Sequence, residues 1–349
     1  MTSFTKIFQS TFMKVVSTVL IIAFCLSGFV FFDAYKRQVS NLKSVYEVYK
    51  GDKALKEAKL QEAIYWYEKA IQINPKHYRA LYNLANIYVV YEDYYSAIKN
   101  YEKALEVKPD FELARINLAI ILSQVYRTDD AIEEYKKVLE FQPKLIQIPF
   151  LFDRKKSYEY NKGIALYNMG LAYRTKSLLA DTTKEESRQF LEKASEAYEK
   201  AVKILKSYNS NYNLALINQL LKNNSKAIIY YCKAMEIEPM QYEAHFNYAI
   251  LLNEMKDYTG AQEEFKKAGL LLDTEGDSTK TGYIYSLLDE VNKKASLSNE
   301  KSRDIPEETF KYKAGKLVID TSKKSEQTEE MMNFFSTCAN RQRYIGDKK

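Results

Sequence analysis

The sequence predicts an all-α protein: a stack of helical hairpins behind one apolar N-terminal segment. Three observations point there. Only 10 glycines and 6 prolines occur in 349 residues, a pattern of small and aromatic residues returns at a fixed interval, and one N-terminal stretch carries no charge. So few turn-formers argue against a many-stranded β architecture and for long helices. With 46% hydrophobic and 28% charged residues, the bulk of the chain is expected to fold in water, neither disordered nor polytopic. The net charge of +6 is spread along the chain without a dense Lys/Arg block, so nucleic acid is not an expected partner. Cys25, Cys232 and Cys338 are odd in number and far apart. No disulfide framework is expected; the three read as small apolar fillers, and the redox compartment stays open.

The uncharged stretch is residues 15–32, VVSTVLIIAFCLSGFVFF. As a helix it would run about 27 Å, just enough to span a bilayer core. It ends in Gly28-Phe29-Val30-Phe31-Phe32 rather than in the small residues of a cleavage site, so it reads as an uncleaved single-pass anchor. Residues 1–14 would form a short tail and 33–46 a juxtamembrane segment. Phe24 stands where lipid attachment at Cys25 would want a small residue. Lys6 and Lys14 precede the run while Lys36, Arg37, Lys43 and Lys50 follow it, so positive charge does not set the orientation. A short N-terminal tail on a bacterial protein argues for a body in the periplasm; a cytosol-facing body stays open.

Pro75, Pro109 and Pro143 are 34 residues apart, and the same pattern precedes each. It is Ala63, Tyr67, Ala70, then Ala97, Tyr101, Ala104, then Ala131, Tyr135, Val138. It returns as Ala227, Tyr231, Ala234 with Pro239, as Ala261, Phe265, Ala268, and without proline as Ala194, Tyr198, Ala201. At six sites over 47–273 the chain thus resembles the tetratricopeptide repeat family. Small residues at i and i+7 let two helices approach closely, the ring between them fills the gap to a neighbour, and proline ends the second helix. The resemblance implies a right-handed superhelical solenoid, in which stacking is obligatory because no single repeat buries its apolar face. The first repeat keeps only Gly51 and Ala54 of its first-helix pattern and has Lys50 at an apolar position, so it is expected to fray or to act as a cap.

Two insertions break the register, near 144–162 and 175–190. The first carries Ile148, Phe150, Leu151 and Phe152 around Pro149 and delays the next helix to Gly163. So apolar a connection either packs along the solenoid edge or meets a partner or the bilayer. The second lengthens the fourth hairpin, with Thr183 and Glu186 as a capping box. A capping helix is expected over 281–296, covering the last repeat with Tyr283, Leu287, Leu288 and Val291. Residues 297–349 read as a polar, mostly flexible tail, whose islands AGKLVID and EEMMNFFSTC are docking peptides or frayed ends.

Chemistry is sparse. No G-x-G pair, P-loop, CxxC or HxxxH occurs, and His77 and His245 are the only histidines. No enzymatic activity, metal, cofactor, small-molecule substrate or nucleic acid is expected, and His245 reads as a packed residue. What recurs is an asparagine at one place on each first helix: Asn83, Asn117, Asn168, Asn213 and Asn247. Before them stand Tyr82, Ile116, Tyr167, Tyr212 and Phe246, and Asn86 lies one turn beyond Asn83. In the resembled family this edge lines the concave groove. The resemblance therefore implies an asparagine ladder with aromatic anchors, able to hold extended or helical segments of other proteins. The same residues also suit ordinary repeat packing. The family's carboxylate clamp wants Lys or Arg at the third consecutive asparagine position, which is absent. The sequence thus predicts a membrane-held protein-interaction scaffold, of the kind found in flagellar-motor collars, pilus systems or secretion systems. A cytosol-facing receptor for precursor proteins or chaperones is the alternative, and self-association is left open.

Overall fold

In the computed structural model the described residues are 32, 34–141, 154–179, 184–275, 277–297, 312–313, 316–317 and 332–339. They fall into two compact units that divide at Val125. Residues 1–31 and 142–153 lie outside the description, so the expected anchor, all but Phe32, and the insertion residues Ile148, Phe150, Leu151 and Phe152 do too, as does Thr183. Among the described residues no helix is long and apolar enough to cross a membrane.

The first unit contains α1 (34–56), α2 (Leu60–Ile73), α3 (Tyr78–Val90), α4 (Tyr94–Val107) and α5 (Glu112–Gln124). The small-aromatic-small pattern forms its core: Ala63, Tyr67 and Ala70 on α2 and Ala97, Tyr101 and Ala104 on α4 are essentially inaccessible. Gly51 explains how α1 reaches α2, because a Cβ there would stand 2.6 Å from the Tyr67 ring. The first repeat does not fray. Val48 and Ala54 are buried against α2 and α3, Ser40 Oγ donates to the Ile73 carbonyl at 2.8 Å, and Tyr67 Oη donates to Asp52 at 2.6 Å. Lys50, out of place in an apolar position, instead lies 3.6 Å from the Trp66 ring centre and pairs with Glu47.

The second unit contains α6 (Thr128–Glu140), α7 (Arg154–Leu179), α8 (Lys184–Leu205), α9 (Tyr208–Leu220), α10 (Asn224–Ile237), α11 (Tyr242–Glu254), α12 (Tyr258–Glu275) and α13 (Ser278–Leu297). Helix α7 starts at Arg154, before the expected Gly163, and with 26 residues against 13 for α9 and α11 it makes the fourth hairpin the long one. Gly170 repeats the role of Gly51, its missing Cβ lying 2.8 Å from the Tyr198 ring. On α13 the buried side is Thr281, Ile284, Leu288, Val291 and Ala295, while Tyr283 is exposed. The expected stripe is therefore rotated: Leu288 and Val291 face inward as predicted and Tyr283 does not. A two-residue antiparallel ladder, β1 (Tyr312–Lys313) with β2 (Lys316–Leu317), is the one departure from an all-α chain among the described residues.

The turns share a device that the composition hides. Ala58, Glu92, Tyr126, Lys222 and Lys256 all have φ between 56° and 62°, and successive members within each run are 34 residues apart. Each follows a helix, and at Ala58, Glu92, Lys222 and Lys256 the next amide bonds back onto it, as Asp93 N does to Tyr88 O at 2.9 Å and Asn223 N to Asn218 O at 2.8 Å. Left-handed turn residues without glycine are how a chain with so few glycines closes its hairpins.

The tail departs furthest from expectation. Residues 332–336 form a helical turn, Phe335 is 1% exposed, and Cys338 is disulfide-bonded to Cys232, their Cα atoms 5.4 Å apart. Two of the three cysteines are thus a cross-link rather than fillers. Their 106-residue separation concealed it, since only the return of the tail brings them together.

Candidate functional site: the asparagine and tyrosine rows

In the first unit the asparagines bond to tyrosines of neighbouring helices. Asn83 Nδ2 donates to Asp52 at 2.9 Å and to Tyr67 Oη at 3.3 Å. Asn117 Nδ2 donates to Asn86 Oδ1 at 3.0 Å and Tyr82 Oη at 3.3 Å, while Tyr101 Oη donates to Asn86 Oδ1 at 2.5 Å. Tyr82 packs its ring against Phe111 and Tyr101, with centroids 4.9 and 5.9 Å away. Burial pushes the Tyr67 and Tyr101 phenols well above their ordinary range, so both remain neutral donors.

The second unit repeats the motif with other members. Asn213 Nδ2 donates to Tyr167 Oη at 3.1 Å and Asn247 Nδ2 to Tyr212 Oη at 2.8 Å, and each also bonds a carbonyl of its own helix. Among the described residues Asn168 bonds only the Ile164 carbonyl. Phe246 packs against Phe265 and Tyr283. The amide N–H groups that would have held a partner's backbone are therefore engaged within the fold, across to a neighbouring repeat or, at Asn168, to its own helix. No hydrogen bond to Oδ1 of Asn168, Asn213 or Asn247 occurs among the described residues.

Around this second row lie groups that the sequence did not single out. Arg174 Nε on α7, Tyr198 Oη on α8 and Glu243 Oε2 on α11 are buried and have no hydrogen-bond partner among the described residues; Tyr208 Oη on α9 is buried beside the Ala244 amide. They share one neighbourhood. The Tyr167 and Tyr198 rings meet edge-to-face at 5.7 Å, and Tyr208 stacks on Tyr212 at 5.6 Å and 7°. Burial raises the Tyr167, Tyr198, Tyr208 and Tyr212 phenols; the Arg174 charge opposes this at Tyr167, Tyr198 and Tyr212, and the Glu243 carboxylate reinforces it at Tyr208 and Tyr212. Buried polar atoms are nearly always bonded, so these orphans stand out beside the second row. The tyrosines among them were legible as repeat positions; Arg174 and Glu243 carry no pattern of their own.

Family models agree with the repeat. Models of the tetratricopeptide repeat match residues 78–111 and 208–239, and a TPR repeat model matches 51–89. The chain carries tetratricopeptide repeats. Among solved structures, Pseudomonas aeruginosa pilF is 16% identical, covering 71% of this chain and 98% of that one at a TM-score of 0.54. PilW, described as a type IV pilus biogenesis factor, is 17% identical over 66% of this chain and 92% of its own, at 0.49. MamA from Desulfovibrio magneticus RS-1 is 20% identical over 57% and 97%, at 0.44. No curated protein sequence matches the chain. At these identities the likeness extends to the fold alone, a tetratricopeptide solenoid architecture.

Proposed function

We propose that the chain is a non-enzymatic scaffold held at a membrane by residues 15–32, which captures extended or helical segments of partner proteins on its asparagine-tyrosine rows. The observation that carries this reading is the cluster of orphaned buried atoms, Arg174 Nε, Tyr198 Oη and Glu243 Oε2, beside Tyr208 and the Tyr167–Asn213 and Tyr212–Asn247 pairs. Donors and acceptors of both signs, set among aromatic faces, suit a peptide backbone and its polar side chains. The pairing of Cys232 with Cys338 supports a body in an oxidising compartment, which for a bacterial chain is the periplasm. It counts against the cytosol-facing receptor. The uncharged run and the extracytoplasmic body together suit an envelope assembly of the flagellar-motor, pilus or secretion type.

A photo-crosslinking residue at Asn168 tests the reading in cells. Discrete adducts should form, and adding Arg174→Met with Asn213→Ala should reduce them at least fivefold while helical content and melting temperature change little. Adducts that survive those substitutions, or that match those from a probe at the outward Lys200, would contradict it.

A further inference from the structure

The C-terminal segment is bound to one surface of α10, α11 and α12 as a ligand would be. Phe335 is buried with Leu271, flanked by Met240, Tyr242 and Leu270, and meets the His245 ring at 6.1 Å. Three main-chain atoms of the segment are held by three side chains. Lys267 Nζ donates to Thr337 O at 2.6 Å, the Ala339 amide donates to Glu264 Oε1 at 2.7 Å, and Tyr248 Oη donates to Ala339 O at 2.8 Å. Behind them, His245 Nδ1 is 2.6 Å from Glu264 Oε2, His245 Nε2 is 3.1 Å from Pro239 O, and Lys267 also pairs with Glu263 at 2.9 Å. His245, Glu264 and Lys267 are all fully inaccessible.

This division of labour is that of peptide recognition: side chains of the site read backbone atoms, while a pocket for Phe335 and the disulfide-bonded sulfur of Cys232 set which residues fit. It is distinct from the asparagine row. At about 100° per residue, Asn247 lies roughly 100–160° round α11 from Tyr248 and His245. A charged site of this kind cannot stand dry and empty, so with the segment gone it takes up either water or another backbone. The 34 residues between Leu297 and residue 332 can extend to at most about 120 Å, enough for a segment to reach a neighbouring copy.

We propose that this surface is a second peptide-binding site, occupied here by the chain's own residues 332–339, and that reduction of the Cys232–Cys338 bond opens it to the same segment of a second copy. The step balances with a dithiol as reductant. Its two thiols become a disulfide as Cys232 and Cys338 become thiols, two electrons and two protons passing between the pairs. Reoxidation across copies by a small-molecule disulfide, which takes the two electrons and two protons and leaves as two thiols, then joins Cys338 of one chain to Cys232 of the other.

Two full-length variants, both carrying Cys25→Ser, test the exchange. One has Cys232→Ser and supplies the segment; the other has Phe335→Ser with Cys338→Ser and supplies an emptied site. Co-oxidised in glutathione buffer, they should form a disulfide-linked heterodimer at least tenfold above the yield when Phe335→Ser is also placed in the supplying chain. Equal yields, or none, would overturn the proposal. The unmutated protein gives a second readout through hydrogen exchange with and without dithiothreitol. Exchange over 332–339 should rise at least tenfold on reduction while α10–α12 stay protected. Unchanged protection of the segment, or loss of α10–α12 with it, would make the segment a fixed part of the core and end the proposal.

Discussion

The two polar networks of the second unit solve opposite problems. The asparagine-tyrosine row is neutral, half-buried and periodic, each pair joining residues 35 or 46 positions apart. The network beneath the tail is charged, fully buried and unique, joining Glu264 and Lys267 to residues 75 and 70 positions away. A neutral pair that loses its partner meets water at a repeat edge and loses about 1 kcal/mol. A buried charge that loses its partner has nowhere to go. The contrast teaches that the repeats tolerate variation along the row, whereas the end of the solenoid depends on every member of one constellation.

The contrast is sharpest in Lys267→Met, which leaves Glu264 buried without its cation. Chemical denaturation of the oxidised protein should show a loss of about 3–5 kcal/mol. A loss under 1 kcal/mol would mean that the two networks are energetically alike. Acid should act on the same group. Burial raises the Glu264 carboxyl, but Lys267, His245 and the Ala339 amide together hold it below its ordinary value. Its contribution is therefore present above the unfolded carboxylate pKa of about 4.3 and is lost as pH falls through the depressed folded value. Stability of the unmutated protein should drop across that acid window, and in Lys267→Met the drop should shrink; equal slopes for both would contradict the pairing.

On the periodic side, Asn213→Ala removes the bond to Tyr167 and should cost about 1 kcal/mol with no change in the acid profile. The smallest effect has the opposite sign. Lys222 sits at a φ of 62°, and Lys222→Gly should stabilise by about 0.5–1 kcal/mol, seen as a small rise in melting temperature. Destabilisation there would show that the lysine side chain, which pairs with Glu254 at 3.1 Å, outweighs the backbone strain.

What the sequence disclosed follows the same division. Ala63, Tyr67 and Ala70 and their counterparts were readable because a local helix geometry repeats, and the row from Asn83 to Asn247 was readable for the same reason. Its bonding was not. An asparagine's period says where it stands, while its partner depends on the tyrosine one repeat away. Helix α13 was placed correctly but rotated, since Tyr283 and Ile284 are adjacent and either could begin an inward stripe. The tail site was illegible because Cys232, His245, Glu264, Lys267 and Phe335 share no spacing, and only the returning segment unites them.

The account turns on that segment being bound, through its cysteine, in a body outside the cytoplasm. Acid-quenched cells treated with a maleimide-polyethylene glycol reagent under denaturing conditions test this directly, in a Cys25→Ser chain. The account predicts no labelling of Cys232 or Cys338 until a reductant is added, after which both shift on a gel. Two free thiols labelled without reductant would contradict it.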